Sequence, residues 1–387
     1  MRAFCHASSS AVDLGSIIMR RMKVAIVNLT SGGMSGGYRK YLRSLLPLLR
    51  RDPRISQLDV FMPSGLEVPD GGPVHFWDAS KGPRTLSTLR TAVLEARPDV
   101  VFLPTARWIH CDGVPSVVMV RNMEPLTVPF GGNTFLESLR NLARARVARL
   151  ACRRATRVIA VSEYVRTFLV DSWRVPPERV GVVYHGIAPA DAGAAPAVLE
   201  GRSRFLFTAG SIRPARGLED AIASMPAILR QHPDQSLVIA GAADASGKSY
   251  AARMKKLARD LGVERAVTWA GQLSPAEMAS AYSRCDAFLV TSRAEACPNV
   301  ALEAMSQGAR IVSTSQDPMP EFFDGAALYY SPRDAAGLAA HVNALLASPA
   351  DAATRAEAGA ARAARFTWAR TADDTIRELQ KAAGIEA

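Results

Sequence analysis

Two carboxylates, Glu295 and Glu303, lie in the stretch over residues 289–313, LVTSRAEACPNVALEAMSQGARIVS, which reads as strand, tight loop, short helix, glycine stop and strand. Pro298 and Asn299 end the extended segment and predict Asn299 as the cap of a helix that Val300 begins. Gly308 is placed for a left-handed stop. Such a helix aims free N–H groups and its positive dipole end at the space the two acids border, which suits a diphosphate flanked by sugar hydroxyls. A second cluster, GSIRPARG over residues 210–217, puts Arg213 and Arg216 on a loop directly before a helix, a cradle for phosphate. Two acids at this spacing are common in helical proteins, and Glu303 would gain dipole stabilisation with no ligand at all. Their place after a strand and at a helix N-terminus is what gives them weight.

The elements that would position these residues alternate along the whole chain. A strand over 23–29 runs into a glycine-rich turn, SGGMSGG, and then a helix over 38–49 with one apolar stripe. That is the opening of an α/β nucleotide-binding domain. Its spacing is G-G-x-x-G-G rather than G-x-G-x-x-G, and no acid sits convincingly at the end of a second strand, so a dinucleotide dehydrogenase is weakly supported. Gly36 and Gly37 are read as letting backbone approach a phosphate or sugar. Further strands are expected over 58–61, 100–103, 117–120, 158–161 and 180–184, with a helix over 86–96 and Ser162 capping another. After the strand at 117–120 comes Arg121-Asn122-Met123-Glu124, at a carboxyl end where α/β ligands bind. A helix over 135–157 carries seven arginines and is expected to turn Leu136, Leu139, Leu142, Val147 and Leu150 inward, leaving a basic face for solvent or an anionic membrane.

Residues 187–202 are Ala/Pro/Gly-rich and aperiodic, the best linker in the chain. Beyond it the alternation restarts, with strands over 205–209, 236–240, 267–269, 287–290 and 327–330 and helices over 218–229, 250–261, 275–283, 335–346 and 371–383. The expected organisation is a leader at 1–21, a first Rossmann-like domain at 22–186, the linker, a second Rossmann-like domain at 203–369 and a terminal helix at 370–387. Gly210, Ser211, Gly241 and Gly271 all follow strand ends of the second unit, so a cleft between two α/β domains is implied.

Composition narrows the class. At 387 residues the chain is too long for one ordinary core, and 48% hydrophobic with 21% charged residues is a soluble globular balance. The net charge of +11 is nearly all arginine, which fits GC-rich coding better than selection for nucleic acid, yet favours an anionic partner. Five scattered cysteines, none in a C-x-x-C pair, indicate neither a disulfide framework nor a zinc site and suggest a reducing cytosol. Residues 1–21 lack a signal peptide's apolar core and read as a disordered leader or a misassigned start. No Asp-x-Asp metal pair occurs, and no metal is expected.

The run from Glu295 through Cys297, Pro298, Asn299 and Glu303 to Gly308 resembles the E-x7-E signature of the retaining family 4 glycosyltransferases, which have the GT-B fold. Residues 210–217 resemble that family's phosphate loop, residues 158–163 and 183–187 its first-domain ending, and Phe366-Thr367-Trp368 its C-terminal mark, so that the likeness covers residues 22 to the end. It implies a nucleotide-diphosphate-sugar co-substrate, UDP- or GDP-linked, with no obligatory cofactor. Glu295 would hold the transferred sugar's hydroxyls and Glu303 the ribose. Backbone N–H groups at Cys297, Asn299 and Val300, in the turn that contains Pro298, would border the sugar and diphosphate. The nucleobase would lie near residues 269–273 and the terminal helix would cross back to the first domain. The family's loop arginine is Ser211 here and its lysine is Arg216, so Arg213 is read as supplying the missing charge. Where many members carry a first-domain histidine, this chain has Asn122 in the corresponding region, read as an acceptor-side hydrogen-bonding group. The expected reaction is transfer to a hydroxyl of a saccharide or lipid-linked acceptor, in bacterial surface polysaccharide synthesis, by a cytoplasmic protein that can sit on the inner membrane face. The alternatives are a nucleotide-sugar 2-epimerase of similar architecture and a non-catalytic glycan-binding or scaffold protein.

Overall fold

The structure, a computed structural model, describes residues 20–30, 36–66, 72–78, 83–127, 135–188, 190–244 and 247–385. The expected leader falls almost wholly on residues outside these. The first unit runs β1 (Met22–Val27), α1 (Gly36–Arg51), β2 (Ile55–Pro63), β3 (His75–Trp77), α2 (Pro83–Glu95), β4 (Val100–Leu103), β5 (Ser116–Val120), α3 (Glu124–Thr127), α4 (Phe135–Arg154), β6 (Arg157–Ala160), α5 (Glu163–Asp171) and β7 (Val180–Val182). The second runs β8 (Phe205–Ala209), α6 (Leu218–Gln231), β9 (Ser236–Ala240), α7 (Lys248–Asp260), β10 (Val267–Gly271), α8 (Pro275–Arg284), β11 (Ala287–Val290), α9 (Asn299–Ser306), β12 (Ile311–Thr314), α10 (Met319–Phe323) and β13 (Ala327–Tyr330). Helices α11 (Ala335–Ala347), α12 (Pro349–Ala363) and α13 (Trp368–Ala383) close the chain.

Each unit is one wholly parallel sheet, ordered β3-β2-β1-β4-β5-β6-β7 and β10-β9-β8-β11-β12-β13. Central strands such as VVFL in β4 and SVVMV in β5 are buried along their whole length, because helices cover both faces of a parallel sheet. In both sheets the order reverses beside the first strand, so crevices open at the carboxyl ends of β1 and β4 and of β8 and β11. Ser162 caps α5, accepting from the Val165 amide. The 187–202 stretch is tied down rather than free: the Ile187 amide donates to Phe366, Gly193 to Ala276, and Gln307 reaches the Ala190 carbonyl.

Helix α13 belongs to the first unit's core. Trp368, Ala372, Ile376, Leu379 and Ala382 recur at helical spacing and are buried with the first sheet's residues. Arg157 donates to Glu378 at 2.7 Å, and the backbone notch at Gly181 is where the Glu378 carboxylate lies.

Helix α4 differs from expectation. It buries Ser138, Asn141, Ala148, Ala151 and Cys152, while Phe135, Leu136, Leu139, Val147 and Leu150 are exposed. Small side chains let the helix lie close on its neighbours, and its large apolar residues are left outside.

Candidate functional site

The loops after β8, β9 and β11 meet at the second sheet's switch point. Gly210 and Gly241 have φ of 136° and 128°, and a Cβ at Gly241 would collide with the Gly210 carbonyl, so only two glycines allow these loops to touch. The Gly241 amide donates to Gly271 at 2.7 Å. Above Gly210 lies the Arg216 guanidinium. It is ion-paired with Glu295 and donates to the Ser292 hydroxyl at 3.2 Å, and Ser292 donates to Glu295 at 3.0 Å. Backbone bonds stitch the two loops together: Arg293 N–H to Ala215, and the Thr291 hydroxyl to Arg216, both at 2.7 Å. Beneath them Arg293 makes a two-pronged bond of 2.6 Å per arm to the buried Asp220, which also accepts from Tyr330 and the Arg333 amide. Planar, doubly bonded guanidinium–carboxylate contacts of this kind fix orientation as well as charge.

Helix α9 begins one residue earlier than expected. Its N-cap position is Pro298, whose hydrocarbon ring has no group to make a side-chain cap bond, and the Ala301 and Leu302 amides bond the Pro298 carbonyl. Asn299 is therefore not the cap; its amide nitrogen lies 3.3 Å from His185 Nδ1 and its oxygen accepts from the Cys297 thiol at 3.0 Å. Gly308, at φ 75°, does end the helix region in the left-handed conformation. His185 is buried between Tyr41 and Trp368, and burial pushes its imidazole down to about 3, with Arg121 adding to the effect. Burial likewise raises the Cys297 thiol.

The two signature acids serve different spaces. Glu295 lines a tight pocket with Gly210, Ser211, Arg216, Pro298 and Val300 that encloses only about 20 Å³. Glu303 lines a wider cleft of about 490 Å³ with Gly36, Arg39, Lys40 and Arg43 of α1 and with Leu273, Met278 and Tyr282. Leu273, rather than Trp269, therefore lines the cleft; Trp269 is half-buried, packed against the second domain's core with Lys255 over its ring. Gly37 adjoins Gly36 at the exposed start of α1, where an added Cβ would meet nothing.

Two ion pairs cross between the domains. Lys40 Nζ lies 2.5 Å from Glu303 Oε1, and Arg213 Nη1 lies 2.8 Å from Glu124 Oε2. Burial pushes the Glu124 carboxyl up, against the lowering influence of Arg213 and Arg216. Asn122 is exposed, and its side-chain oxygen accepts from the Glu124 amide at 3.1 Å. Lys40 and Glu124 are the residues the sequence reading passed over. Glu124 stood two places beyond Asn122 with nothing to distinguish it, and the Lys40 partner is 263 residues away. Among the described residues no group of three or more His, Cys, Asp or Glu is placed to hold a metal ion, and no helix is long and apolar enough to cross a membrane.

Comparison with known proteins places both halves. Residues 36–191 match the family described as Glycosyltransferase Family 4, and residues 195–362 match Glycosyl transferases group 1. D-inositol 3-phosphate glycosyltransferase of Segniliparus rotundus is 29% identical over 239 residues, 58% of this chain and 52% of that protein. Glycogen synthase of Mycobacterium tuberculosis is 34% identical over 173 residues, 44% of this chain and 41% of that protein. The chain thus spans about half the length of the curated relatives it matches. Among solved structures, Anabaena HepE in complex with UDP superposes with a TM-score of 0.71 at 19% identity, covering 93% of this chain and all of that one (100%). Sucrose-phosphate synthase from Thermosynechococcus elongatus gives 0.71 at 18% identity, covering 95% and 100%. At such identities the likeness establishes the fold, which is GT-B: two Rossmann-like parallel-sheet domains facing a central cleft.

Proposed function

We propose that this chain, a glycosyltransferase family 4 domain followed by a glycosyl transferases group 1 domain, transfers a hexosyl group from a UDP- or GDP-sugar to a hydroxyl of a saccharide or lipid-linked acceptor, with retention of configuration. The observation that carries this reading is the Arg216–Ser292–Glu295 cluster at the second sheet's switch point, with Glu303 one helix away on the adjoining cleft. Glu295 binds sugar hydroxyls and Glu303 the ribose, as carboxylates suited to accept from O–H donors. Arg216 and Arg213 neutralise the diphosphate and hold the charge that develops as the bond between the anomeric carbon and phosphate oxygen breaks. Gly210, Ser211, Gly241 and Gly271 let backbone approach the donor, and the Cys297–Val300 turn with Gly36 and Gly37 closes around it. The acceptor oxygen bonds the anomeric carbon on the departing side, and its proton passes to the leaving phosphate. Asn122 offers its amide nitrogen to an acceptor or sugar hydroxyl. The HepE structures with UDP and UDP-glucose support a nucleotide-sugar donor by likeness of fold.

The acceptor is membrane-borne in this reading. Exposed Phe135, Leu136, Leu139, Val147 and Leu150 share one side of α4, with Arg146 and Arg153 among them and Arg140 and Arg149 beside them. An exposed face that mixes large apolar residues with arginine suits an anionic bilayer surface, as surface polysaccharide or glycolipid synthesis at the inner membrane face requires. Binding to vesicles containing anionic lipid should weaken as salt rises.

The test of the activity is slow release of free nucleotide from a panel of UDP- and GDP-sugars. The expected result is hydrolysis reduced by roughly 10²–10³-fold in Glu295→Ala, the scale of losing one transition-state contact. Sugar isomerisation without nucleotide release would mean an epimerase, and no nucleotide binding at all would mean a scaffold protein.

A further inference from the structure

Both charged ends of the proposed donor site already have partners, and those partners come from the opposite domain. Glu124 holds the Arg213 guanidinium and Lys40 holds the Glu303 carboxylate. The chemistry of each contact is that of the ligand it precedes. Carboxylate oxygens offer a guanidinium what phosphate oxygens would, and an ammonium offers a carboxylate the donors that ribose hydroxyls would. Arg213 has a buried Nε that makes no hydrogen bond among the described residues, so its guanidinium keeps a donor to give. The pocket beside Arg216, lined by Gly210, Ser211 and Glu295, encloses about 20 Å³.

We propose that Glu124 and Lys40 are positioning residues that stand in for the donor: binding a nucleotide-sugar exchanges the Glu124–Arg213 and Lys40–Glu303 pairs for contacts to diphosphate and ribose. This rests on the reading of Arg213 and Glu303 as donor contacts. Each pair joins the two domains, so the groups that grip the substrate in this reading also tie the domains together. Donor affinity is then set by a competition between anions on Arg213 and between donors on Glu303, and it is separable into a diphosphate part and a nucleoside part.

Calorimetric titration of the full chain with UDP, GDP, uridine and guanosine tests this. Glu124→Gln is expected to tighten the diphosphates by roughly three- to tenfold, the scale of one partly exposed ion pair, and leave the nucleosides unchanged. Lys40→Met is expected to tighten nucleotide and nucleoside alike. Arg213→Gln should erase the gain of Glu124→Gln in the double variant, which a merely structural role for Glu124 would not produce. A gain in affinity cannot arise from misfolding, so a poorly folding variant does not mimic the result. Wild-type binding with unchanged or weaker affinity in both single variants would overturn the exchange while leaving the donor reading intact. Wild-type protein that binds neither UDP nor GDP would remove the donor reading, and the exchange with it.

Discussion

The two walls of the cleft are built on different principles. The second-domain wall is stitched to itself: Gly241 against Gly210, Arg216 to Ser292 and Glu295, and Arg293 to Asp220 below. These bonds all lie within the second domain. The first-domain wall is tied by arginines to backbone carbonyls, Arg107 to Leu29 and Arg121 to Pro104. Asn122 accepts from the Glu124 amide, while Glu124 and Lys40 pair across the gap. The contrast teaches that the second wall pairs Arg216 and Glu295 within itself, while among the described residues the charges of Glu124 and Lys40 on the first wall are met only by what they face.

Breaking the self-stitched wall should have the largest effect. Gly241→Ala combines a forbidden backbone conformation with a collision at Gly210, and should cost about 2–4 kcal/mol in denaturant unfolding, with nucleotide binding lost in step. A stable, binding-competent variant would mean the loops are not rigidly mated. The contact between the walls is probed through His185, which sits under α9 and against Trp368. Its imidazole titrates near its ordinary value when unfolded and near 3 when buried, so the unfolded state binds the extra proton between those limits. Stability should therefore fall as pH drops below about 6.5, by up to roughly 1.4 kcal/mol per unit, and His185→Gln should flatten that slope. An identical slope in the variant would remove His185 as its source. The smallest effect concerns the outside of the first domain. Leu139→Ser with Leu150→Ser should lower anionic-vesicle binding by roughly tenfold while leaving nucleotide affinity unchanged. If vesicle binding does not move, α4 is a solvated face.

Much of the second wall was legible because its chemistry is local. Parallel strands buried on both sides are continuous apolar runs, so β8, β9, β11 and β13 fall on the residues expected. Residues 210–217 and 295–303 are short loops between such runs, and their acids and arginines read directly. The first wall was less legible for physical reasons. Strand β3 is three residues long at a sheet edge, with too little burial to impose a pattern. On α4 the arginines and leucines are interleaved, and the inward side was chosen by close fit of Ser138, Ala148 and Ala151 rather than by hydrophobicity. The N-cap of α9 falls on Pro298 rather than Asn299, whose side chain is engaged by His185 and Cys297, one of them from a distant segment that local cap chemistry does not reveal. Charge pairs such as Lys40 with Glu303 depend on how two domains meet, and nothing local encodes that.

The seating of α13 has a consequence for how the protein is made. All seven strands of the first sheet have been synthesised by Val182, yet Trp368, Ile376 and Leu379, which complete that sheet's core, are made only after the second domain's strands. The nascent first domain must wait with an uncovered apolar face while the entire second domain is translated and folds. A truncated chain ending after β13 would leave that face permanently open, a target for chaperones and for aggregation rather than a smaller working enzyme.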